Sequence, residues 1–511
     1  MILAGVRARL RALWPGGGLA FKAFLCGAVL SLGQAPFGLW PLSLLALAAG
    51  IWLVSEASGP MRAAGVGLFL GAGHFAAALN WIVEPFLVEP EVYAWMIPFA
   101  LAFLSFGLAL FWALAAGLAH LARGRPLVAL LFAVTLAGAE LARGWVMTGF
   151  PWALIGHIWI DTTVAQWAAF GGPIALTLLA TVAAALPVAL WSRSRRWAVI
   201  LPFGVIALAY ATGAMLAARP IPEATAAVVR LVQPNAAQHL KWDPERARSF
   251  FDRQLDLTSA PPTDPMMPPD LVVWPETSVP YLFRSGDTVA QVIAGAAGVP
   301  VAVGFQRVDG PRGFNSLGVI DTQGRISATY DKHHLVPFGE YIPFGDFAYR
   351  ALGLSAFAAQ VGNGYSAGEG ALVLDFGPKL GLALPLICYE AVFPQDLRAA
   401  PRRAGWILQI TNDAWFGEVT GPYQHLAQAR LRAIEQGLPF LRAANTGITA
   451  VIDARGRVVE ALPMGVSGFL DVRLPAALPA TIYAKTGDWP LFLLLIGLFG
   501  ALLALSGRKD A

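Results

Sequence analysis

The sequence predicts an α-helical multi-span membrane domain joined to an α/β soluble domain, and three observations predict it. Of the 511 residues, 57% are hydrophobic and only 13% are charged, about half the charged fraction of a soluble globular domain. The apolar residues fall in two segments that flank one more polar block, from about Thr225 to about Leu474. Inside that block, long apolar runs give way to short β-rich runs separated by turn residues. The expected organisation is an N-terminal transmembrane domain over 1–219, a soluble domain over 220–480, and a C-terminal transmembrane helix with a short tail over 481–511.

Seven stretches before the block, and one after it, read as spanning helices. They cover roughly 20–35, 38–55, 63–83, 95–121, 126–146, 165–191, 196–217 and 489–507. The first is short and interrupted by Gly33 and Pro36, so it is expected to tilt or to form a tight hairpin with the second. Arginines then set the orientation. Arg7, Arg9 and Arg11, then Arg62, Arg123 and Arg125, then Arg193, Arg195 and Arg196, and finally Arg508 and Lys509 occupy alternate loops, whereas 36–38 and 84–95 carry no Lys or Arg. The positive-inside rule places both termini in the cytoplasm and, with seven spans before it, the block on the outer face. The N-terminal arginines and the apolar run after them also fit a cleaved signal peptide, but no small-residue cleavage site follows.

Trp81, Trp95, Trp145, Trp152 and Trp489 fall near span ends, as in an interfacial belt. His74, Asn80, His120, Glu140 and Arg143 lie within or at the ends of spans, and ionisable groups at that depth are functional candidates. Glu140 and Arg143, three apart on one helix face, read as a pair near the membrane surface that positions the turn from Thr148 to Trp152. The net charge of +4 comes mostly from arginines beside spans rather than from one patch, which argues against a nucleic-acid partner. The two cysteines, Cys26 in an apolar run and Cys388 in the block, exclude a disulfide framework.

In the block, strands are expected at Ala227 to Gln233, Leu271 to Trp274, Val299 to Phe305, Ser316 to Ile320, Leu380 to Ile387, Trp406 to Ile410, Phe440 to Ala444 and Thr449 to Asp453, with a helix from Pro422 to Gly437. Three clusters follow strand ends, where α/β folds place their chemistry. Leu271 to Val273 runs through Trp274 and Pro275 into Glu276, although a lone Glu after a strand is ordinarily a solvated loop residue. Tyr330 to Tyr341 is a charged, aromatic loop holding Lys332 and Glu340. Leu382 to Ile387 ends on Cys388-Tyr389-Glu390, and a cysteine closing an apolar strand is, taken alone, more often inert core.

The three share a chemical logic. A thiol needs a base, and a carboxylate in a dry pocket has the raised proton affinity to serve. Glu276 fits that role. A carbonyl attacked by the thiolate develops an oxyanion, for which Lys332 and the backbone N–H of Tyr389 are available donors.

These residues, with the Asn412 to Gly417 and Gly421 to His425 strings and the helix bearing Arg430 and Arg432, resemble the carbon-nitrogen hydrolase (nitrilase) superfamily. With spanning helices on both sides, the chain resembles over essentially its whole length the apolipoprotein N-acyltransferase family. The resemblance implies a nitrilase-like αββα sandwich with a Glu-Lys-Cys triad of Glu276, Lys332 and Cys388. It implies supporting or substrate-binding roles for Glu340, Tyr389, Glu390 and, on a loop near the site, Trp242. It further implies ping-pong acyl transfer from a phospholipid, through a thioester on Cys388, to the α-amine of a diacylglyceryl-modified lipoprotein cysteine. No cofactor or metal is expected, and a monomer in the bacterial inner membrane with its soluble domain on the periplasmic face is. The apolar segment Phe347 to Phe357 reads either as a lipid-touching lid or as an ordinary packed loop. Two alternatives stay open: a membrane-anchored amidase that uses water as acceptor, and a non-catalytic scaffold, which the presence of all three triad members opposes.

Overall fold

A computed structural model describes residues 14–241, 243–280, 288–343 and 364–507. The chain divides into two compact units, Met1–Arg219 with Thr481–Ala511, and Pro220–Ala480.

The first unit is helical. Its helices are α1 (Gly17–Leu30), α2 (Trp40–Ser55), α3 (Pro60–Ala78), α4 (Ile97–Ala119), α5 (Arg125–Arg143), α6 (Ala168–Leu190), α7 (Arg195–Ala217) and a C-terminal helix, Trp489–Gly507. All eight expected apolar stretches are therefore helical, but they do not all have spanning length. Among the described residues, five helical segments are long and apolar enough to cross a membrane, and a sixth is α3 together with the bent Asn80–Leu87 segment after it. Helices α1 and α2 have 14 and 16 residues, about 21 and 24 Å against a hydrocarbon core of about 30 Å. The connection between them is the tight hairpin that Gly33 and Pro36 imply. Leu39 N–H bonds back to the Leu32 carbonyl at 2.9 Å, and the Ser43 hydroxyl to that of Leu30 at 2.7 Å.

Small residues let these helices touch backbone to backbone. A Cβ at Gly27 of α1 would fall 1.9 Å from the Leu70 carbonyl oxygen of α3, and one at Gly73 of α3 would fall 1.9 Å from that of Phe24. Glu140 and Arg143 do pair, at 3.1 Å, and Arg143 donates to the carbonyls of Phe150 and, at 2.8 Å, of Trp152. Both side chains are fully buried, and Trp112 Nε1 donates to Glu140 Oε1 at 2.8 Å, so the pair is a packed polar core rather than a surface contact. His74 and His120 bond backbone carbonyls of Ala153 and Val54, each at 2.9 Å. Trp95, Trp145 and Trp489 are exposed, as a belt requires, but Trp81 and Trp152 are buried against each other with ring centroids 4.5 Å apart. Their place near span ends did not distinguish a lipid-facing indole from one packed against another indole.

The second unit is an αββα sandwich. Its strands are β1 (Val228–Gln233), β2 (Leu271–Val273), β3 (Val301–Asp309), β4 (Arg312–Ile320), β5 (Ile326–Asp331), β6 (Leu374–Asp375), β7 (Leu382–Ile387), β8 (Trp406–Thr411), β9 (Phe440–Ala444), β10 (Thr449–Ile452), β11 (Val458–Leu462) and β12 (Gly468–Arg473). They form two six-stranded sheets, in the orders β12-β1-β2-β3-β4-β5 and β11-β10-β9-β8-β7-β6. Each has a parallel centre, β1-β2-β3 and β7-β8-β9, and antiparallel edges. The parallel strands are buried on both faces, which accounts for their continuous apolar runs. Helices α8 (Pro244–Ser259) and α9 (Thr288–Ala297) seal the first sheet, with Phe251 and Ile293 packed among Val272, Trp274 and Val303. Helix α10 (Gly421–Gln436) seals the second, with Ala429 and Ala433 against Leu384, Ile407 and Phe440.

The eight expected strands coincide with eight of these. Strands β3 and β4 run further than expected because they pair as a hairpin out to Asp309 against Arg312, beyond the apolar segment.

Candidate functional site: a buried cysteine, lysine and carboxylate cluster

Four strand ends deliver the site. Glu276 follows β2, Lys332 follows β5, Cys388 follows β7, and Asn412 with Asp413 follows β8. Cys388 sits in the left-handed region at φ 50° and Thr277, next to Glu276, at φ 46°. Such conformations are strained for non-glycine residues and concentrate where a side chain must be aimed out of a strand end.

Glu276, Lys332, Glu340 and Cys388 gather around one buried centre, at 5%, 1%, 5% and 5% exposure. Glu276 Oε1 accepts from Asn315 Nδ2 at 2.7 Å, and Oε2 from the backbone N–H of Asn412 at 2.9 Å. Lys332 Nζ donates to Glu340 Oε1 at 2.8 Å and stands 3.9 Å from Glu276 Oε1. Asn315 also donates to Glu340 Oε1 at 3.2 Å, so one amide spans both carboxylates. Glu340 Oε2 accepts from Val336 N–H at 2.8 Å, which folds the loop after β5 over Lys332.

The electrostatics separate the proton affinities. Burial raises the Glu276 carboxyl above its ordinary value, with Lys332 opposing and Glu340 adding to the rise. Burial also works against the Lys332 ammonium, but Glu340 and Glu276 outweigh it and hold it above the ordinary lysine range. Burial pushes the Cys388 thiol well up, Glu276 adds to this, and Lys332 partly offsets it. The resting cysteine is therefore a thiol beside a basic carboxylate and a fixed cation, a set suited to thiol-mediated acyl chemistry.

A layer of hydrogen bonds holds the elbow at Cys388. Glu390 is fully buried and accepts from Tyr330 Oη and His333 N–H at 2.8 Å, from His334 N–H at 3.2 Å and from Ile387 N–H at 2.7 Å. Burial disfavours its carboxylate, yet the hydrogen bond and charge of His333 win and hold it below the ordinary range. Tyr389 is buried against Phe393, with ring centroids 4.9 Å apart. On the other side, the Cys388 carbonyl accepts from Gln409 Nε2 at 2.9 Å and lies 3.1 Å from His425 Nε2. Asp413, bonded to His425 at 2.9 Å and to Arg442, braces that imidazole.

Trp242 and the Phe347 to Phe357 segment lie outside the described residues. Sequence reasoning missed Asn315 and Lys241. Asn315, with Ser316, interrupts the run from Phe314 to Ile320 with polar side chains, a legible signal; Lys241 is buried where a polar loop implies exposure. Among the described residues no group of three or more His, Cys, Asp or Glu side chains is arranged to hold a metal ion.

Comparison with known proteins gives two family matches. Residues 26–186 match the apolipoprotein N-acyltransferase N-terminal domain and residues 229–481 the carbon-nitrogen hydrolase domain. The chain is 38% identical over 498 residues to an apolipoprotein N-acyltransferase of Rhodopseudomonas palustris, covering 92% of each. It is 39% identical over 482 residues to one of Brucella melitensis, covering 89% of this chain and 90% of that protein. Among solved structures, an amidase of the nitrilase superfamily from Nesterenkonia matches 54% of this chain and 99% of its own, at 20% identity and a TM-score of 0.38.

Proposed function

Because the chain belongs to the apolipoprotein N-acyltransferase family, we propose that its buried cysteine cluster transfers a fatty acyl chain from a phospholipid to the N-terminal S-diacylglyceryl-cysteine of a lipoprotein, in two half-reactions. The observation that carries the site assignment is the juxtaposition of Glu276, Lys332 and Cys388 in one water-poor centre.

In the first half-reaction Glu276 takes the Cys388 proton as sulfur attacks the ester carbonyl of the phospholipid. The oxyanion that forms is met by the Lys332 ammonium and the Tyr389 backbone N–H. Collapse breaks the ester C–O bond, Glu276 returns its proton to the departing lysophospholipid oxygen, and a thioester remains on Cys388. In the second, the α-amine of the diacylglyceryl-cysteine attacks that thioester and gives its proton to Glu276. The C–S bond breaks, and the sulfur recovers the proton. One acyl group moves, and no oxidant, reductant or nucleotide is consumed.

In this reading the unit formed by 1–219 and 481–511 is the membrane domain. The unit over 220–480 is the catalytic domain, on the outer face of the inner membrane, a reading that the arginines of alternate loops support.

The test is mass spectrometry of the purified full chain incubated with phospholipid vesicles, with Cys388→Ala as control. A fatty-acyl mass on the Cys388 peptide, cleared by a diacylglyceryl-cysteine peptide, is the expected result. Absence of any adduct, together with hydrolysis of small amides, would replace the transferase with an anchored amidase.

A further inference from the structure

We infer that Lys241 is a second lysine of the site, a positioning residue that clamps the turn carrying Glu276. The inference rests on the role assigned to Glu276 above.

Lys241 is 6% exposed, which for an ammonium is costly unless every proton is used. Its Nζ donates to the Glu276 carbonyl at 3.2 Å and to the Thr277 hydroxyl at 2.7 Å. Thr277 is the residue held at φ 46°, a conformation that a β-branched side chain keeps only when its surroundings impose it. The rest of the turn is pinned as well. Ser278 N–H bonds the Gly304 carbonyl at 2.8 Å, and Gln254 Nε2 donates to the Ser278 carbonyl at 3.0 Å. Gly304 itself leaves no slack: a Cβ there would stand 2.4 Å from the Pro275 carbonyl oxygen and 2.6 Å from the Glu276 Cα. The turn is thus pressed against bare backbone on β3, and the Lys241 ammonium fastens the two residues that determine where the Glu276 carboxylate points.

Lys241 also brings a charge. Its pKa is pulled down to about 8 by burial, with the Glu276 carboxylate opposing that fall. The charged groups that act on Glu276 are Lys332, Glu340 and Lys241, with the Cys388 thiol and Tyr365 also facing it. Removing the Lys241 cation withdraws one of the two positive charges that favour the Glu276 carboxylate, so Glu276 ionises at higher pH. In the intact protein that help is complete well below pH 8 and fades as Lys241 itself deprotonates above it. A residue with a purely structural role would leave the ionisation of Glu276 where it is.

The experiment compares the full-length wild type with Lys241→Met, Lys241→Arg and Thr277→Val. It reads Cys388 acylation by phospholipid and, independently of any acyl donor, the pH dependence of Cys388 alkylation by iodoacetamide, followed on the Cys388 peptide. With Lys241→Met, kcat is expected to fall about 10- to 100-fold with KM little changed, as for a misaimed catalytic group. The acid limb of the alkylation profile moves to higher pH. Lys241→Arg, which keeps a cation and hydrogen-bond donors at this position, restores most of both. Thr277→Val lowers kcat without moving the limb. A folded Lys241→Met protein with wild-type kcat and an unmoved limb overturns the inference; should that variant not fold, wild-type kcat in Thr277→Val does so. If wild-type Cys388 takes no acyl group but the alkylation limb still shifts in Lys241→Met, the lysine assignment stands and the acyl-donor reading falls.

Discussion

The carboxylate of Glu390 accepts the backbone N–H of His333 at 2.8 Å, joining the elbow that carries Cys388 to the loop that begins with Lys332. Two strand ends from different sheets are thereby set at a fixed separation by one buried charge. Replacing Glu390 with Gln keeps the shape but turns an amide donor towards backbone N–H groups. The expected loss is about 1–3 kcal/mol of stability, with activity falling further than stability alone explains. Thermal unfolding in detergent and single-turnover acylation check it.

The imidazole of the same residue gives a pH signature, because His333 Nδ1 lies 2.9 Å from Glu390 Oε1. His333 is held above its ordinary value, since the Glu390 hydrogen bond and charge outweigh the effect of burial. A group whose folded pKa is raised contributes stability that is full below its unfolded value, about 6.5, and is lost as pH rises through the folded value. The wild type should therefore lose more stability than His333→Gln between neutral pH and the alkaline side of that folded value. Parallel slopes of melting temperature against pH in the two proteins would refute this.

Glu276→Gln keeps the Asn315 contact geometry but removes the proposed base. The rate of thioester formation is expected to fall by about 100- to 10,000-fold. Lys332→Met removes the proposed donor to the oxyanion and is expected to cost about 100- to 1000-fold. Both are read by quenched-flow measurement of acyl-Cys388.

In the helical unit, Arg143→Met strands the buried Glu140 carboxylate and the carbonyls of Phe150 and Trp152. Breaking a buried pair in this way costs about 3–5 kcal/mol. The variant should melt well below the wild type, and replacing Glu140 and Arg143 together with apolar residues should recover part of the loss. A double-mutant cycle on melting temperature measures the coupling.

What was legible in the chain, and what was not, follows from how far each residue's partners lie in sequence. Glu276, Lys332 and Cys388 are singled out by the complementary chemistry of a carboxylate, an ammonium and a thiol after strand ends and by the family resemblance, since each position alone reads as ordinary loop or core. Strand β12 gave no such signal, as it pairs with β1 across the whole block, Val228 against Arg473. Strand β11 is largely exposed, so no apolar alternation marks it. Lys241 reads as one more charge in a polar loop, and only the turn at Glu276, 35 positions on, makes it a core residue. The opposite error befell Trp81 and Trp152, whose partner is each other.

The dryness of the centre bears on timing. An acyl-enzyme in a two-step cycle must wait for its second substrate, and bulk water competes for it throughout that wait. With Glu276 and Cys388 each 5% exposed and Lys332 1% exposed, few water molecules can stand where Glu276 would activate them. The same three side chains could serve a hydrolase or a transferase; in the proposed mechanism, what separates the two fates is the dwell time of a loaded Cys388. In the proposed cycle, a loaded cysteine that outlasts the wait for its acceptor would leave the enzyme idling fully charged, with turnover governed by the arrival of amines rather than by the supply of lipid.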